Sequence, residues 1–125
     1  MKVVRHDAVP AETFPGGATY RTLVGDEAGS TPIRTGIQVS PPGYETPYHC
    51  HPYVEVITVL AGEGEAWSEA AEGTVALAPG TTLVIPAGVR HGFRVTGTRP
   101  LETLGIHASS QRIVTVEEDE SSRER

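Results

Sequence analysis

The sequence predicts an all-β fold, an antiparallel sandwich or barrel of roughly ten short strands. Three observations carry that reading. Glycine and proline are frequent, 14 and 10 of 125 residues, so tight turns are available throughout the chain. Apolar and β-branched residues fall in short runs, several with a period of two, and no run has the period of an amphipathic helix. No internal repeat or second domain is visible, and the length suits one domain with one core.

The elements follow in order. Met1 to Arg5 is a short apolar-basic run, read as an edge strand. His6 to Gly17 is broken by Pro10, Pro15 and paired glycines and reads as a loop. Thr19 to Val24 is a strand, and the polar stretch Gly25 to Pro32 is a turn. Ile33 to Ser40 alternates, with Ile33, Thr35, Ile37 and Val39 on one face and Arg34 and Gln38 on the other. Val56 to Leu60 is apolar on both faces, as in a strand covered on both sides. Strands are also expected over Glu65 to Ser68, Thr74 to Ala78, Thr82 to Ile85, Gly92 to Thr96 and Leu101 to His107, with Glu69 to Gly73 as a connection. Ile113 to Val116 is a last edge strand. A single domain therefore spans 1–116, and the charged stretch 117–125 reads as a disordered tail.

The formal net charge is −6, much of it in the last nine residues. A nucleic-acid partner is not expected, because such partners need a basic footprint. No apolar run has the length of a membrane span, and the N-terminus lacks a signal peptide's apolar core, so no membrane partner is expected either. Cys50 is the only cysteine. It permits no internal disulfide and fits a reducing, cytoplasmic setting.

The stretch from Gly43 to Gly62 carries the chemistry. It places His49, His51 and Glu55 at the same parity, so on a strand two imidazoles and a carboxylate share one side. Downstream, Gly80 to His91 is a second apolar strand broken by Pro86-Ala-Gly88, a sharp turn that can present His91 from a neighbouring strand. Nitrogens plus one hard oxygen suit a divalent first-row metal: Fe, Mn, Ni, Co, Cu or Zn. Any one of these histidines alone would be read as a packing or surface residue.

Taken together, the two stretches resemble the two motifs of the cupin superfamily. The first fills G-x5-H-x-H-x3-E-x6-G at Gly43, His49, His51, Glu55 and Gly62. The second fills G-x5-P-x-G-x2-H-x3-N at Gly80, Pro86, Gly88 and His91, with Val95 where the motif has Asn. The resemblance implies a small single-domain cupin, a double-stranded β-helix or jelly-roll β-barrel, with one metal ion held by His49, His51, Glu55 and His91. It also implies a homodimer with edge strands paired across the interface, which open edges favour on physical grounds too. Val95 bears on local packing, because the Asn it replaces is not a ligand.

Other candidates surround these. His107, in Gly-Ile-His-Ala-Ser-Ser, reads either as a surface histidine or partner behind the ligands, or as a general acid/base at the barrel mouth. Tyr53 shares the ligands' parity and reads as a pocket group that moves a proton or as a packing residue. Arg34 and Gln38 bind substrate if their strand face turns inward; the ordinary arrangement leaves them solvated while Ile37 and Val39 fill the core. Trp67 is a pocket wall or a dimer contact. Cys50 has the opposite parity and should point away from the ion.

Four protein ligands on an octahedral ion leave two positions for a small oxygen-rich substrate. The leading functional reading is therefore a mononuclear metalloenzyme of isomerase, cyclase or lyase type, working through an enolate held at the metal. An Fe(II)- or Cu-dependent dioxygenase is the alternative. A non-catalytic, small-molecule-binding sensor is the alternative from another class.

Overall fold

The computed structural model describes residues 1–116, so the tail expected at 117–125 lies outside the described residues. Among these, the chain is all-β apart from one 3-10 turn at His6–Ala8. The strands are β1 (Glu12–Thr13), β2 (Thr19–Val24), β3 (Arg34–Ser40), β4 (His49–Cys50), β5 (Glu55–Ala61) and β6 (Glu63–Ser68). They continue with β7 (Ala71–Leu77), β8 (Thr82–Ile85), β9 (His91–Thr96), β10 (Leu101–His107) and β11 (Thr115–Val116). They form two antiparallel sheets, one in the order β1-β2-β3-β10-β5-β8 and one in the order β11-β4-β9-β6-β7. This is the jelly-roll β-barrel.

The core sits between the sheets, where Ala18, Tyr44, Val59, Ala66, Leu77, Phe93, Val95 and Leu101 pack together. Val95 belongs to this cluster and its N–H donates to Tyr44 O at 2.8 Å. The departure from the motif is thus an apolar filler with its backbone satisfied.

Several expectations are corrected. Met1 to Arg5 is not a strand, while Glu12–Thr13, expected in a loop, pairs with β2 at Tyr20 and Thr19. Ala71 to Gly73, expected in a connection, already belongs to β7, and the last strand is only Thr115–Val116. β5 is covered on one face only: Glu55, Ile57 and Val59 are buried, whereas Leu60 is exposed. On β3 the inward face is the one that was expected to be solvated. Gly36 and Ser40 are buried, while Ile37 and Val39 are half-buried and outside the core cluster. The reason is steric. The Tyr20 ring crosses this face, and a Cβ on Gly36 would lie 2.2 Å from its hydroxyl. Only glycine lets the phenol lie there.

The passage from one sheet to the other after β5 is a single residue. Gly62 has φ +84°, and a Cβ there would meet the Pro100 carbonyl oxygen at 2.2 Å and Leu101 Cα at 2.8 Å. Both the dihedral and the approach exclude a side chain. Gly62→Ala should therefore lower stability by about 2 kcal/mol or more, read as a shift of the urea midpoint. An unchanged midpoint would mean that the crossing tolerates a Cβ.

Candidate metal centre

The two sheets each contribute to one cluster. His49 lies in β4 and is paired across the strands with His91 at the start of β9. Glu55 opens β5 and is paired with His107 at the end of β10. His51 lies between β4 and β5, where the chain passes from one sheet to the other. The shared side of His49, His51 and Glu55 is therefore not the side of one strand. The chain turns through His51-Pro-Tyr-Val, and the barrel brings the three groups back together.

The ligand atoms of His49, His51, Glu55 and His91 all lie within 4.8 Å of one another. Their orientation is set from behind. The Nδ1 atoms of His49, His51 and His91 sit 2.7, 2.7 and 3.0 Å from the carbonyl oxygens of Pro47, Ile113 and Val89. A carbonyl only accepts, so each Nδ1 carries the proton and each Nε2 is left with its lone pair. Two of those lone pairs face the same carboxylate oxygen: Glu55 Oε1 is 3.2 Å from His51 Nε2 and 3.1 Å from His91 Nε2. Acceptors set against acceptors at that distance require a cation between them, either a proton or a metal ion. Glu55, His51 and His91 are at most 8% exposed, so an uncompensated charge among them is poorly solvated. The donor set fits a divalent transition ion, with the ring tautomers already fixed for it.

The titration behaviour follows the same geometry. Burial pushes His49 down to about 4, against the Pro47 carbonyl, which favours its protonated form. Burial also works against a charge on His51, but the hydrogen bond and charge of Glu55 outweigh it and the net direction is upward. Burial disfavours the Glu55 anion, yet the His107 N–H, and His51 and His91 when protonated at Nε2 as well, hold the carboxyl well below its usual range.

His107 joins the cluster from the side. It is 4% exposed, and its Nε2 lies 3.0 Å from Glu55 Oε2. With Nε2–H donating to Glu55, the Tyr53 hydroxyl donates to His107 Nδ1, and the Ile113 N–H donates to the Tyr53 oxygen at 3.2 Å. Tyr53 Oη also lies 3.3 Å from His51 Nδ1. Tyr53 is thus buried behind the imidazoles, outside the cavity lining, and acts on the site through them.

In front of the cluster lies a cavity of about 370 Å³. His49, His51, Glu55, His91 and His107 form its polar floor. Phe14, Tyr20, Tyr44, Ile57 and Phe93 make its walls, and Gln38, Thr46, Thr103 and Arg112 are the further polar side chains. Gln38 is therefore in the cavity, donating from Nε2 to Ser40 Oγ at 3.1 Å. Arg34 is not in that lining: it donates to the Ser110 carbonyl and Thr22 Oγ1 and borders a separate surface depression. Trp67 covers Gly92 and lines a second, smaller cavity of about 190 Å³. Cys50 is free and absent from both cavities. Tyr20, Thr103 and Arg112 went unnoticed in the sequence. The inward parity of Tyr20 on β2 was a usable signal, but the irregular stretch around Arg112 offered none.

A cupin-domain family model matches residues 36–107, more than half of the chain, and the protein belongs to the cupin family. Protein SchB of Streptomyces halstedii is 36% identical over 97 residues, covering 77% of this chain and 69% of that protein. Among solved structures, the polyketide cyclase RemF from Streptomyces resistomycificus superposes with a TM-score of 0.78 at 28% identity, covering 95% of this chain and 89% of RemF. KdgF from Halomonas sp. gives 0.74 at 18% identity, covering 89% and 96%, and shows the shared fold alone. No helix among the described residues is long and apolar enough to cross a membrane.

Two predictions follow from the cluster. His91→Ala should lower bound-metal stoichiometry in elemental analysis of reconstituted protein, and full occupancy would remove His91 from the ligand set. The second concerns acid. With the metal chelated, the unfolded chain binds a proton at His49 near 6.5, whereas the folded chain does so only near 4. Stability therefore falls as pH drops between those values. His51, whose pKa is raised, contributes in the opposite sense: its stabilisation is full at low pH and fades as pH rises. His49→Gln should thus lose less melting temperature than the wild type when chelated protein is taken from pH 7 to pH 5. An equal loss would mean that His49 is not desolvated.

Proposed function

We propose that the protein is a divalent-metal-dependent cyclase that closes rings in a poly-β-carbonyl chain without redox chemistry. The observation that carries this reading is the placement of a metal-ready cluster on the floor of a cavity whose walls are apolar and aromatic. The likeness to the polyketide cyclase RemF, over nearly the whole of both chains, supports it. The structures named as oxalate oxidase and as a predicted oxalate decarboxylase are less than 25% identical and contribute to the fold only.

Aldol ring closure requires three things. A C–H next to a carbonyl must lose its proton, the oxygens must be held, and the chain must be bent with water kept away. When bound, the ion would act as a Lewis acid toward a substrate carbonyl. The chain's own residues do the rest. Phe14, Tyr44 and Phe93 offer flat walls against which an unsaturated chain can fold. Gln38 and Thr103 can orient carbonyls along it. His107 holds the proton. In its resting tautomer Nε2–H donates to Glu55, and Tyr53 donates to Nδ1. When Tyr53 passes its hydroxyl proton to Nδ1 and the Nε2 proton passes to Glu55 Oε2, Nε2 is left with a lone pair for the substrate proton, and the Ile113 N–H holds the phenolate that results. Returning that proton to the alkoxide formed on C–C bond formation completes an addition with no net change in oxidation state.

The test is turnover of a synthetic poly-β-carbonyl thioester by protein reconstituted with Zn(II) or Mn(II) under strict anaerobiosis, with products identified by mass. A cyclised isomer, or its dehydration product, is expected. Oxygen uptake that depends on Fe(II) would replace the reading with dioxygenation, and tight binding without turnover would replace it with a sensor. His107→Ala should retain the metal and lose on the order of a hundredfold in rate. A rate unchanged at every pH would take His107 out of the proton path.

A further inference from the structure

Arg112 opens onto the same cavity and, among the described residues, is the only lysine or arginine in its lining. Its guanidinium is held by contacts with two aromatic rings and one carboxylate. The carbon lies 5.0 Å from the ring centre of Phe14 and 5.3 Å from that of Tyr20, and these two rings are themselves stacked at 5.6 Å. Nη1 donates to Glu12 Oε1 at 3.1 Å. Nε and Nη2 make no hydrogen bond among the described residues. The side chain is 28% exposed, so it is reached by solvent as well as lining the cavity. A guanidinium laid on aromatic faces is weakly hydrated, keeps its charge at any working pH, and presents a rigid pair of donors. The next residue, Ile113, gives the carbonyl that orients His51. The guanidinium is therefore held in a fixed relation to the metal cluster.

We infer that Arg112 is the anion anchor of the cavity, binding a planar pair of ligand oxygens that share a negative charge. A carboxylate and an enolised 1,3-dicarbonyl both have that chemistry. The body of the ligand then runs along the aromatic wall toward the histidines. Glu12, half exposed at 48%, occupies part of the fork and acts as an internal competitor that weakens the anchor. The inference rests on this cavity being the ligand site of the proposed cyclase, but not on ring closure being the reaction. A surface ion pair with Glu12 alone would contribute little and would not need a guanidinium held over two rings at a cavity opening.

The test uses the metal-loaded full-length protein and calorimetric titration with three probes: 3-phenylpropanoate, its neutral amide, and benzoylacetone. Arg112→Gln should weaken the charged probe about tenfold or more and leave the amide unchanged, with metal content as in the wild type. Glu12→Gln works in the opposite direction. By freeing the fork it should tighten the charged probe several-fold, an outcome that a merely structural Arg112 would not produce and that needs no perturbation of the core. Dependence on Arg112 for the carboxylate alone, or for the diketone alone, identifies which source of the oxygen pair it takes. Equal losses for acid and amide, no effect of Glu12→Gln, or no binding of either the carboxylate or the diketone to the wild type would overturn the anchor. If the anchor holds and the poly-β-carbonyl thioester is not cyclised, the reaction assignment falls and the binding site stands.

Discussion

The buried carboxylate of Glu55 is the constraint on which the site depends. It lies at the end of a strand, almost out of reach of water, with imidazoles against both of its oxygens. A buried anion is stable only where cations or donors surround it. Here three backbone carbonyls fix the imidazole tautomers so that lone pairs, not N–H groups, point inward. On its other oxygen a fourth imidazole donates instead. One side of the carboxylate is thus left needing a positive ion while the other is already satisfied. That asymmetry is what turns a cluster of polar side chains into a place for a metal.

Much of this was legible in the sequence, for a local reason. The ligands of the first motif lie within seven residues, and the Pro-x-Gly turn ahead of His91 is punctuation that any reader of turns can see. The strand count followed from alternation and glycine–proline spacing, and β2, β3, β8 and β10 fell close to where that pattern put them. The shared parity of His49, His51 and Glu55 led to a sound grouping through a picture that does not hold, since the three residues span two sheets.

What stayed hidden depends on pairing between distant segments. His107 meets Glu55 because β10 and β5 run in a register that sets them opposite one another, and nothing within either strand announces that register. The inward face of β3 was misjudged for a related reason. Hydropathy alone favours Ile37 and Val39, but the ring of Tyr20 needs the space above Gly36, and that need belongs to another strand. Arg112 lies in an irregular stretch where neither period nor motif applies, and its role depends on rings nearly a hundred residues earlier in the chain.

The bond between His51 and the Ile113 carbonyl has a consequence for biosynthesis. During translation the donors at 49–55 leave the ribosome well before residue 113 exists. Until that late carbonyl docks, His51 can present either nitrogen, and the segment 49–55 has no settled geometry for an ion. An ion held by this set would therefore be bound only after residue 113 has docked, late in barrel assembly.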